Sequence, residues 1–208
     1  MIRVFSAPAL ALIALLGLAA CGADRKWASD TDVAAARFVA EGPTTLTLFT
    51  VISNSTEAGA HSSLLINGAE RVIFDPAGSW YSQSVPERND LHYGMSDRML
   101  AFYIDYHARV TYRVIEQTIQ VSPQTAALVL ARAQANGAVN KGGCATSITS
   151  ILRGVPGFEG IRQTYFPKEL SKSFGQLPGV TERTITDQDD DNNHGVLMLN
   201  ADGVAEDF

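Results

Sequence analysis

The residues in this chain best suited to chemistry are Gly142-Gly143-Cys144, with His61 far upstream as the histidine that could serve them. A thiol in the first turn of a helix sees unpaired amides and the positive end of the aligned peptide dipoles. That environment lowers its pKa and makes thiolate available near neutral pH. The same amides can stabilise an oxyanion on a tetrahedral acyl intermediate, and an imidazole within reach can move the proton. The two glycines let backbone approach a substrate closely. Together these parts suit acyl transfer through a thiol nucleophile. The competing account is that Cys144 packs as a small hydrophobe, since free cysteine is among the most buried residue types.

The elements that must position these groups are partly visible in the spacing. Cys144, Ile148, Ile151 and Leu152 form one apolar stripe at helical period, which turns the thiol toward whatever sheet the helix covers. His61-Ser62-Ser63-Leu64-Leu65-Ile66, then Asn67-Gly68, then Arg71-Val72-Ile73-Phe74-Asp75 reads as a β-hairpin. A two-residue turn would pair His61 with Phe74. A three-residue loop including Ala69 would pair it with Asp75 and supply a carboxylate to orient the imidazole. Ser62 and Asn54 are weaker candidates for that third role.

The surrounding chain predicts an α+β fold, an antiparallel sheet of about five or six strands with the helices that begin near Ser122 and Cys144 packed on one face. Residues 44–53 read as a buried strand, and Asp32 caps a short helix before them. Residues 80–96 read as a long loop, with Trp80 and Tyr81 lining a groove or forming core. From Phe102 to Val114 apolar and polar residues alternate, which predicts a long strand or a strand pair with one buried face. Its polar face would carry Tyr103, Asp105, His107 and Arg109, a solvated surface that also holds an Asp105–His107 acid/base pair and keeps His107 as another partner for Cys144. Residues 167–174 predict a helix, and 181–186 and 196–200 predict strands.

The N-terminus locates the protein. Arg3 precedes an apolar run that ends in Leu18-Ala19-Ala20-Cys21. This pattern resembles the export signal of bacterial lipoproteins, which is removed so that the cysteine becomes an acylated N-terminus. The resemblance implies a signal peptide over 1–20, lipidation at Cys21, a short tethered linker over 21–31 and one domain over 32–208. The protein would then face the periplasm from a lipid anchor in the cell envelope. Gly22 after the cysteine, by resemblance to enterobacterial sorting, points to the outer rather than the inner membrane. The formal net charge of the chain is −6, and loss of Arg3 makes it more negative, which disfavours nucleic acid as a partner. With Cys21 acylated, Cys144 has no intramolecular disulfide partner.

The chain has no Gly-x-Ser-x-Gly elbow, no His-Glu-x-x-His helix, no phosphate-binding glycine loop and no Cys-x-x-Cys pair, so neither a cofactor nor a metal is expected. Asp187, Asp189 and Asp191 match the first half of an EF-hand loop. Asn192 stands where that loop needs glycine and Met198 where it needs glutamate, which leaves a hydrated acidic turn.

The order of parts, His61 on a hairpin strand, Asp75 on the next strand and Cys144 on a later helix, resembles the circularly permuted branch of the NlpC-type papain-like hydrolases, which includes the lecithin-retinol acyltransferase-like proteins. The resemblance spans roughly residues 46–152. It implies a permuted papain-like fold and a thiol hydrolase or acyltransferase acting on amide or ester bonds of cell-wall peptides or lipids, with Cys144 as nucleophile, His61 as base and Asp75 as orienter. The chain departs from that branch in having strand material after the cysteine and an aspartate where the branch often has histidine. The reading from another class is a non-catalytic envelope lipoprotein that binds a partner or ligand, with Cys144 in its core.

Overall fold

The computed structural model describes Ala23 and residues 25–197. The signal-like segment 1–20 and Cys21 lie outside the described residues. Within them, no helix is long and apolar enough to cross a membrane.

Seven strands form one open antiparallel sheet: β1 (Thr45–Ser53), β2 (Gly59–Asn67), β3 (Arg71–Phe74), β4 (Glu87–Arg88), β5 (Leu91–Tyr93), β6 (Tyr112–Gln120) and β7 (Thr181–Ile185). Their spatial order is β4-β5-β3-β2-β1-β6-β7. Six helices accompany them among the described residues: α1 (Asp30–Ala36), α2 (Asp97–His107), α3 (Pro123–Asn136), α4 (Cys144–Leu152), α5 (Pro167–Gly175) and α6 (Asn193–Leu197). The fold is α+β as expected, with more strands than expected because the 80–96 stretch supplies β4 and β5.

Both faces of the sheet are covered. β1 lies at the centre and is buried along seven consecutive residues, the pattern of a strand with helices on either side. Leu46, Leu48, Leu64, Ile66 and Phe74 meet α3, α4 and α5 in one core. Phe49, Val51, Leu65 and Ile73 meet α2 and Trp80 in the other. The expectation of helices on one face is therefore corrected by α2.

That helix replaces the strand expected from Phe102 onward. Ser96 caps it by accepting from the Met99 amide at 3.3 Å, and Met99, Phe102, Tyr103, Tyr106 and His107 form its buried stripe. Strand structure begins only beyond it, in β6. Asp105 and His107 therefore do not share a polar face: Asp105 pairs with Arg109 at 2.6 Å, while His107 is buried. The acidic turn is tied to the same arginine, whose Nη1 lies 3.2 Å from Asp189. The strand expected at 196–200 is also corrected, since α6 ends at Leu197 and residues 198–200 lie outside the described part.

Residues just before α1 pack against the β4 edge. Trp27 bridges to Arg88 at the β4 edge, the Arg88 guanidinium stacks 4.9 Å from the Trp27 ring, and Ala28 donates its amide to Glu87 at 2.9 Å.

Candidate active site

The hairpin register follows neither expected alternative. Asn67 pairs with Arg71 and Leu64 with Phe74, so the loop is Gly68-Ala69-Glu70 and Asp75 comes opposite Ser63. His61 stands two residues before Ser63, on the same face of β2. The β1–β2 ladder shifts beside it, with Val51 opposite His61 but Ile52 opposite Gly59. Such a bulge re-aims the neighbouring side chain. The result is a direct contact, His61 Nε2 to Asp75 Oδ1 at 2.6 Å, with the Asp75 side chain fully buried and that of His61 16% exposed.

Asp75 is held from three sides. Tyr103 on α2 hydrogen-bonds through its hydroxyl to Asp75 Oδ1 at 2.7 Å and to Ser63 Oγ at 2.8 Å. Gly78 closes over the carboxylate, since a Cβ there would sit 1.8 Å from Asp75 Oδ2. The Gly78 amide also donates to the Asp75 carbonyl at 3.0 Å. Oδ2 itself has no hydrogen-bond partner among the described residues.

Cys144 approaches from the opposite face of the sheet as the first residue of α4. Gly142, at φ +80°, makes the turn into the helix, and Gly143 is its cap without a capping side chain. A Cβ on Gly143 would meet Val139 at 2.6 Å, so this position needs glycine for space. The thiol is electrostatically coupled to the His61 imidazole and to the backbone amides of Ser62 and Ala145.

The electrostatics couple the three groups. Burial opposes the charged imidazole, but the Asp75 carboxylate and the contact with Cys144 outweigh it and hold the His61 pKa at about 10. Burial pushes the Cys144 thiol up, and the His61 hydrogen bond and charge with the Ser62 and Ala145 amides bring it below the usual thiol value. Burial likewise raises Asp75, and His61 overcomes this to hold the carboxylate well below its usual range. These directions agree on an imidazolium between a carboxylate and a thiolate-prone sulfur.

His107, the alternative partner for Cys144, instead stacks on His61, with ring centroids 5.7 Å apart and planes 9° from parallel. Its Nδ1 lies 2.8 Å from the Tyr103 carbonyl. Asn54 is engaged elsewhere: it donates to the Val110 carbonyl and accepts from Arg113. Ser62 contributes its amide rather than its hydroxyl. Trp80 is core, packed edge-on against His92 and Tyr103.

Two cavities open beside these residues, and Asp75 lines only the second. One of about 440 Å³ is lined by His61, His107, Gly78, Tyr106 and Asn193 and gives access to the imidazole. The other, about 330 Å³, is lined by Asp75, Trp80, Asp90 and His92. No protein-family model, curated protein or solved structure matches this chain. Its function must be argued from the site itself.

Tyr103, Ser63 and Gly78 are the members that sequence reasoning did not assign to the site. A usable signal for Tyr103 existed in Ser96-Asp97, a cap followed by apolar residues at helical spacing. Ser63 carried none, because its place depends on the hairpin register, while Gly78 belongs to the turn that follows Asp75.

Proposed function

We propose that this protein is a thiol hydrolase or acyltransferase in which Cys144 is the nucleophile, His61 the base and Asp75 the group that orients and charges the imidazole. The observation that carries this reading is the 2.6 Å His61–Asp75 contact, with the His61 imidazole electrostatically coupled to the Cys144 thiol. The thiol proton rests on His61 as the imidazolium of an ion pair, the thiolate attacks an acyl carbon, and the imidazolium gives the proton to the leaving amine or alcohol. The unpaired amides of the first turn of α4 stabilise the oxyanion. Water or a second acceptor then releases the acyl group. The resemblance to permuted papain-like hydrolases suggests amide or ester bonds of cell-wall peptides or lipids, and the lipoprotein-like N-terminus supports an anchor on an envelope membrane through Cys21.

A non-catalytic binding lipoprotein is the second reading, favoured by the low exposure of Cys144, 5%, and by its aliphatic neighbours in the core. Iodoacetamide separates the two. The enzyme reading expects Cys144 alkylation at pH 6 faster than that of glutathione, and loss of that advantage in His61→Ala. Alkylation no faster than glutathione, or unaffected by His61→Ala, supports the binding module instead.

A further inference from the structure

One ligand atom from each of His61, Asp75 and His107 lies within 4.8 Å of the other two. Three separate elements supply them: β2, the residue after β3, and the last turn of α2. Two observations go beyond their proximity. The bond from His107 Nδ1 to the Tyr103 carbonyl, 2.8 Å, requires Nδ1–H and leaves the Nε2 lone pair free. Backbone carbonyls fix metal-binding histidines in this tautomer. Asp75 Oδ2, on a residue 1% exposed, has no hydrogen-bond partner among the described residues. The buried carboxylate therefore keeps hydrogen-bonding and ligating capacity that the described residues do not use. The 440 Å³ cavity beside His61, His107 and Gly78 provides an entry path and room for a water as fourth ligand.

We propose that His61, Asp75 and His107 form a site for Zn²⁺ or a similar borderline divalent ion. Two imidazoles and one carboxylate suit zinc and cobalt, whereas calcium and magnesium take all-oxygen shells. Zinc–ligand distances near 2.1 Å put tetrahedral ligand atoms about 3.4 Å apart, so His61 Nε2 and Asp75 Oδ1, now 2.6 Å apart, spread by roughly 1 Å as the ion enters between them. His61 gives up the proton it shares with Asp75, that proton passes to the buffer, the metal takes its place, and no electrons move. While the ion is bound, His61 is not available to receive a proton from Cys144. That inhibitory consequence rests on the proposed function, but the site itself does not.

The test is calorimetric titration of the full-length chain in detergent with zinc chloride, alongside Cys144→Ser and His107→Gln. One ion per chain is expected, with affinity within about twofold of wild type in Cys144→Ser and about tenfold or more weaker in His107→Gln. In the wild-type chain, zinc should shift the ring ¹⁵N signals of both His61 and His107 and leave that of His92 in place, a readout that does not depend on a variant folding. Absence of binding, affinity indifferent to His107→Gln, loss of binding in Cys144→Ser, or an unmoved His107 signal each overturns the site. Zinc bound as expected with a Cys144 no more reactive than glutathione would refute the thiol chemistry and leave the metal site standing.

Discussion

His61 and Asp75 meet at 2.6 Å although they are not ladder partners, because Asp75 comes opposite Ser63 and His61 reaches it along the same face of the sheet. The contact thus depends on the length of the hairpin loop and on the bulge before His61. Replacing Asp75 by Asn keeps the shape and removes the charge. It should cost about 3–5 kcal/mol of stability, the range for breaking a buried ion pair. It should also return the Cys144 thiol toward its ordinary pKa. Urea unfolding and the pH profile of iodoacetamide labelling measure the two effects, and a variant with an unshifted labelling profile would contradict the orienting role.

Tyr103→Phe tests the same carboxylate from the helix side. Removal of one charge-assisted hydrogen bond to a buried acceptor should destabilise the fold by about 2 kcal/mol. Gly78→Ala should be at least as damaging, because the new methyl overlaps the position of Asp75 Oδ2. Both should move the labelling profile in the same direction as Asp75→Asn. A Gly78→Ala chain with wild-type unfolding and labelling would show that the carboxylate is not held as described.

His107 gives stability an acid limb. Burial holds its pKa at about 4 against 6.5 when solvated, with the Asp75 charge opposing the shift. The unfolded chain therefore takes up a proton first as the pH falls. The contribution is complete above pH 6.5, declines below it and is gone at about 4, for a total of about 3 kcal/mol. Urea midpoints measured between pH 7 and 4 should fall accordingly in the wild type and fall less in His107→Gln. Parallel curves for the two chains would exclude His107 as the source.

The N-terminal reading is tested by Cys21→Ser. Expressed in bacteria with labelled palmitate, the wild-type chain should incorporate label and sediment with membranes. Cys21→Ser should do neither. Label retained in Cys21→Ser would remove the lipid anchor from this account.

Much of the local structure was legible because its determinants lie within one turn or one strand. Ser122-Pro123 starts α3 and Gly137 ends it, as the spacing predicts. Gly142-Gly143-Cys144 begins α4, and residues 45–53 form the central strand. The α2 segment was misread because Phe102, Ile104 and Tyr106 satisfy a period of two while Met99, Phe102, Tyr103 and Tyr106 satisfy 3.6. Over so short a run the two patterns overlap, and the Ser96 cap was the deciding residue.

The sequence by itself determined which groups carry reactive chemistry: a thiol at the opening of a helix, a histidine on a hairpin strand and a carboxylate on the next, each set by local capping, turn and periodicity rules. Tertiary structure alone decided that His61 meets Asp75 and is coupled to Cys144, and that Tyr103 and His107 pack beside them from a helix on the far face. Those relations join residues 14 to 83 positions apart, and only the sheet register and the packing of helices on both faces bring them together.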